Sequence, residues 1–298
     1  MKSQSALSWF IFVALSLIWG SSFILMKKGL EHLSSYQVAS IRIIASGLVL
    51  SPIAVKAVRN LPKEKIWYVF LSGLFGSLLP AYLFCMAEEG IDSSLAGVLN
   101  SLTPIFVIII GALFFGMKTG TQKLIGILIA FSGSVLLFLS QPGFARESHF
   151  GDVLLIVLAT VMYGLNVNMV RRFLTQLPSM QVAAVALGLN AIPAAAVLWY
   201  SGYFRSNFSD AGILSSSFYS CILGVFSTAI ASVIFYVLIK KAGPIFSSMV
   251  TYGIPFVAIG WGLYYGETVG WKQVGSLCVI LTGVWIANTV FQSKKTVT

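Results

Sequence analysis

Charge is the scarcest property of this 298-residue chain: only 9% of its residues are Asp, Glu, Lys or Arg, where a soluble domain carries about 25%. Of the acids and histidines that most often move protons, it spreads only nine and two over that length. Intramembrane enzyme chemistry is poorly supported. The histidines, His32 and His149, stand between apolar runs, no pair of acids falls in the middle of one, and neither H-E-x-x-H nor G-x-S-x-G occurs. No Walker-type phosphate loop is present, which excludes ATP as a direct energy source. The three cysteines, Cys85, Cys221 and Cys278, lie inside apolar runs without metal-ligand spacing and read as inert thiols. No cofactor or metal is expected. The net charge of +10 would suit nucleic acid, yet the basic residues form pairs and short clusters between apolar runs, with no basic stripe or recognition motif.

Apolar residues are what the chain has in excess, 57% of the total, with a mean hydropathy of +0.90. This composition is that of an integral membrane protein, whose first partner is the lipid bilayer. Crossing about 30 Å of hydrocarbon takes about 20 apolar residues, and ten such runs are centred near positions 16, 45, 76, 104, 130, 160, 189, 227, 255 and 280. Short polar stretches separate them, so one compact bundle with no soluble domain is expected. The first run, from Ala6 to about Met26, is too long for a signal h-region and reads as a retained helix. With the amino terminus inside, 13 of the 19 basic residues fall on inner segments and eight of the nine acids on outer ones, Glu64 being the exception. A miscounted helix would reverse the sign of every later loop. Both termini are therefore expected in the cytoplasm, with the chain in the inner membrane.

The chain also repeats itself. An offset of 144 places Trp19-Gly20 on Tyr163-Gly164 and Gln37-Val38-Ala39 on Gln181-Val182-Ala183. An offset of 151 places Gly73, Phe84, Pro104 and Gly111 on Gly224, Phe235, Pro255 and Gly262. The units run over residues 1–142 and 150–292, five helices each. An odd number of crossings inserts the second copy upside down. The expected fold is therefore an all-α polytopic membrane protein, with ten transmembrane helices in two inverted five-helix repeats. Inverted repeats are the usual architecture of alternating-access carriers; a duplicated structural bundle is the plainer alternative.

The stretches "LIWGSSF", "SSYQVASIRIIASG", "LAGVLNSLTPIFVIIIGALFFG" and "PFVAIGWGLYYGETVGWKQVGSLCVILTGVWI" resemble the EamA repeat of the drug/metabolite transporter superfamily over nearly the whole chain. The most specific part is the order Pro255, Gly266-Glu267, Gln273, Gly275 and Gly283. Pro104, Gly116, Gln122, Gly126 and Gly133 resemble it in the first copy, with Met117 in place of the family's glutamate. The resemblance implies a ten-helix carrier that exports or exchanges small metabolites, amino acids or drugs around a central cavity.

Polar side chains inside the runs mark where such a cavity would lie, because an unpartnered amide or charge in hydrocarbon is costly and must face protein or water. Arg42 stands about 10 Å inside helix 2 at 1.5 Å per residue. It either snorkels to the interface or ties helix 2 to helix 3 through Glu88 or Glu89, or it attracts an anionic group such as a substrate carboxylate. Asn100, Asn166 and Thr228 are further binding candidates, with Asn168, Asn190 and Ser232 at similar depth. Trp19 and Tyr163 either wall a pocket near the pseudo-symmetry axis or fill the grooves that Gly20 and Gly164 leave, and Tyr252 precedes a mid-span proline. Pro104 and Pro255 are expected to bend helices 4 and 9. Glu88, Glu89 and Glu267 are the candidates for coupling or a salt bridge. The function these features point to is a secondary exporter or exchanger of small metabolites such as amino acids, working by alternating access. Drug or toxic-compound efflux is the alternative, ahead of a non-transport structural or enzymatic membrane protein. One chain would suffice to enclose the cavity, and an oligomer remains open.

Overall fold

The computed structural model describes residues 5–91, 93–140, 150–264 and 270–288. Nine helices among them are long and apolar enough to cross a membrane: α1 (Ala6–Leu30), α2 (Ser35–Asn60), α3 (Lys63–Ala87), α4 (Leu95–Phe115), α5 (Thr121–Leu139), α6 (Phe150–Phe173), α7 (Ser179–Tyr200), α8 (Ala211–Ala242) and α9 (Pro244–Trp261). A tenth, α10 (Trp271–Asn288), packs along α5. The fold is an all-α membrane bundle of two five-helix repeats. Local signals set the helix ends. Ser34 and Gln37 form a reciprocal capping box at the start of α2, satisfying amide donors that have no partner in the first turn. Asp210 caps α8 by accepting from the Gly212 amide at 2.7 Å. Between α8 and α9 the chain turns at Gly243, whose φ of 86° favours glycine.

Large apolar side chains cover the outside: Phe10, Leu113 and Phe114 are each more than 70% exposed. A water-soluble protein of this size would bury them, whereas hydrocarbon is their matching solvent. The inside is held by small residues at close crossings. A Cβ on Gly126 would stand 2.7 Å from the Gly283 carbonyl oxygen, and one on Gly283 would stand 2.5 Å from that of Gly126. Helices α5 and α10 thus meet backbone to backbone, the packing that membrane helices use when no hydrophobic effect drives them together.

The same offsets that align the sequence align the contacts. Gly20 packs on Val257 and Gly164 on Phe106; Gly224 packs on the Arg42 carbonyl and Gly73 on that of Ala186. Each member of these pairs maps onto the other by 144 or 151 residues. Helix irregularities follow the same symmetry. Both α3 and α8 widen into π-helical turns, at Leu74–Leu78 and Leu223–Ile230. In α4 the helix breaks at residues 101–102 and resumes at Thr103. In α9 a 3-10 stretch, Met249–Gly253, precedes the turn that resumes at Ile254. Pro104 sits in the first turn of its resumed helix, and Pro255 holds the same place. There a missing N–H costs nothing. The expected mid-span bends are therefore breaks placed just before each proline.

Candidate functional site: a cavity between the two repeats

Four irregular helices, α3, α4, α8 and α9, surround one cavity together with α1, α2 and α6. The volume open to the centres of water molecules is about 90 Å³, whereas one water needs roughly 10–15 Å³ on that measure. Several waters or a small solute therefore fit. Its lining follows the repeat: by the same offsets Trp19 corresponds to Tyr163, Ser22 to Asn166, Ser77 to Thr228, Phe84 to Phe235, and Asn100 to Thr251. The cavity thus straddles the interface between the copies.

Six of the seven nominated binding residues line this space: Trp19, Arg42, Asn100, Tyr163, Asn166 and Thr228, together with Ser232. Trp19 is fixed from two sides. Its indole N–H donates to the Ser227 carbonyl in the π turn of α8 at 3.0 Å, and its ring meets Phe235 edge-on at 5.0 Å. The symmetry-related pair, Tyr163 and Phe84, stacks at 6.1 Å. Asn166 is 3% exposed and closely faces Gly76 in the π turn of α3. Its Oδ1 and the Ser227 Oγ are buried without a protein hydrogen-bond partner. A buried acceptor without a partner costs about 1–3 kcal/mol unless a water or ligand donor reaches it.

Arg42 is the one charged side chain of the lining among the described residues. Its Nε donates to Thr228 Oγ1 at 2.7 Å, a bond from the first copy to the second. Arg42 forms no salt bridge with Glu88 or Glu89 among the described residues, where a bridge joins Lys28 and Glu31 at 2.6 Å. Glu89 accepts from the Ser35 amide at 2.9 Å and so closes the start of α2, where a carboxylate meets the positive helix end. Glu88 stands at the carboxyl end of α3, away from the cavity lining. Glu267 lies outside the described residues.

Tyr252 does not line the cavity. It is fully buried, and its hydroxyl donates to the Ile127 carbonyl at 3.0 Å, tying α9 to α5. Asn168 and Asn190 are likewise glue. Asn168 bonds Val107 and Gly164 carbonyls, each at 2.9 Å. Asn190 bonds Ala186 at 2.8 Å and Phe70, just before the π turn of α3, at 3.1 Å. Thr251, Ser77 and Thr103 are lining residues that the reading of polar depth passes over. The repeat itself holds the signal for the first two, since they occupy the positions matched to Asn100 and Thr228.

Fold and cavity together define an inverted-repeat membrane transporter. The sequence profile of the EamA-like transporter family matches residues 6–139 and again 151–289, and the chain belongs to that family. It is 27% identical to an uncharacterized transporter of Archaeoglobus fulgidus, over 93% of this chain and 97% of that one. It is 25% identical to the uncharacterized inner membrane transporter YedA of Escherichia coli K12, over 95% and 92% of the two chains. A probable amino-acid metabolite efflux pump of Salmonella typhimurium is 28% identical over 43% of this chain and 42% of its own. A solved crystal structure shares the fold with a TM-score of 0.72 at 16% identity, covering 96% of this chain and 97% of its own.

Proposed function

We propose that this chain is a secondary carrier that exports or exchanges a small polar metabolite across the inner membrane by alternating access. The observation that carries the reading is the cavity, lined by symmetry-matched residues of two inverted copies. Two copies with exchanged conformations give outward-open and inward-open states of similar energy. In this reading Trp19, Arg42, Asn100, Tyr163, Asn166 and Thr228 contact the solute. The breaks before Pro104 and Pro255 are the hinges, and Tyr252 holds α9 to α5. No acid lines the cavity among the described residues, which supports exchange or facilitated movement over a proton relay. The same lining lacks histidine, which supports a carrier over an enzyme. The polar lining and the efflux pump's name favour amino-acid-like solutes. Aromatic walls at Trp19, Phe84 and Phe235 favour amphipathic drugs as the second reading.

Charge sidedness supports cytoplasmic termini, and a cavity enclosed by one chain supports a working monomer. The test is the set of solutes released into the medium by overproducing bacterial cells, beside a Ser232→Trp variant at matched membrane abundance. A solute released by the parent and retained by the variant, whose added ring fills the cavity, is the expected result. Identical media from parent, variant and cells without the protein would refute the proposal.

A further inference from the structure

The cavity's electrostatics narrow what it can hold. Arg42 is half-buried, its Nε is occupied by Thr228, and its two Nη groups have no protein partner among the described residues. A guanidinium held by its Nε presents the Nη edge as a fork, the geometry that receives both oxygens of a carboxylate. The half-helices resuming at Thr103 and Ile254 begin at the cavity wall, and helix starts carry partial positive charge. Nothing described in the lining offers a compensating negative charge. A monovalent cation about 5 Å from the guanidinium would be disfavoured on the order of a hundredfold at an effective dielectric of about 20.

We propose that Arg42, positioned by Thr228, is a carboxylate-binding group, so that the solute is a small organic anion or zwitterion and never a net cation. Its use in transport rests on the carrier reading; the binding chemistry does not. The buried Asn166 Oδ1 and Ser227 Oγ, unpartnered by protein, are acceptors for a donor elsewhere on the same solute. A zwitterion meets both conditions. The proposal also explains why the two copies differ here: Ala186 matches Arg42, and a second cation in the same space would repel the first.

Three solutes of one shape test it: pentanoate, pentanamide and pentylammonium, added at equal ionic strength to the purified full chain while its Tm is followed. Pentanoate alone should raise Tm, with sodium chloride inert. Its apparent Kd should weaken at least tenfold in Arg42→Gln and severalfold in Thr228→Val, with Arg42→Lys intermediate because charge survives without the fork. If Arg42→Gln does not fold, Arg42→Lys and Thr228→Val carry the test. An equal shift from pentanamide, pentylammonium or chloride, an unchanged Kd in the variants, or no shift with pentanoate would overturn the proposal. Pentanoate bound through Arg42 in a protein that moves no solute would instead sink the carrier reading. Cellular release confined to solutes without a carboxylate would leave the carrier and sink the anion site.

Discussion

Tyr252 and Asn166 both carry polar atoms into the bundle, and they end in opposite situations. The Tyr252 hydroxyl is spent on the Ile127 carbonyl, whereas the Asn166 Oδ1 is buried without a protein partner, on a residue that lines the cavity. Tyr252→Phe removes one buried hydrogen bond and nothing of the lining. It should cost about 1 kcal/mol of stability, read as a lower Tm, while solute release stays at the parent level; lost release at unchanged Tm would return Tyr252 to the site. At this scale the sequence was a good guide to depth and a poor one to partners. Arg42, Asn100, Asn166 and Thr228 stand out as polar residues in apolar runs, and all four line the cavity. Asn168 and Asn190 look the same in sequence, but their Nδ2 groups are spent on carbonyls that only the packing of α6 on α4 and α7 on α3 brings near. Glu89 was legible as a carboxylate near Arg42, but the turn after α3 carries it to the Ser35 amide instead.

Helices were legible almost completely, because hydrocarbon demands long apolar runs and internally satisfied backbone. Their irregularities were legible in part. Proline marks the breaks in α4 and α9. The π turns in α3 and α8 leave no compositional trace, since one shifted hydrogen-bond register needs no special residue type. Glycines in the family pattern also divide at this scale. A Cβ on Gly283 would run into the backbone of Gly126 and Ala130, whereas one on Gly275 would meet nothing within 4 Å. Gly283→Leu should therefore separate α5 from α10 and abolish a monodisperse peak in size-exclusion chromatography, while Gly275→Leu should purify like the parent. Equal behaviour of the two variants would contradict the close crossing.

For the whole molecule, the repeat is what joins sequence to function. Matching offsets of 144 and 151 residues connect glycine contacts, helix breaks and cavity walls, so the symmetry belongs to the site and is more than a relic of duplication. Charge sidedness predicts the orientation. A fluorescent reporter fused after Thr298 should light in the cytoplasm, and an alkaline phosphatase fused there should stay inactive; the reverse pattern would overturn the orientation. Departures from symmetry are equally informative. Arg42 against Ala186 makes one half of the cavity cationic, which no reading of the fold alone would supply. The most direct measurement is counterflow: the purified chain in liposomes preloaded with the solute that cells release, with entry of the labelled form followed over time. Alternating access predicts that unlabelled solute inside accelerates entry of label, and that Ser232→Trp removes the acceleration. Entry at a rate indifferent to the solute inside would contradict a carrier built on exchanging conformations.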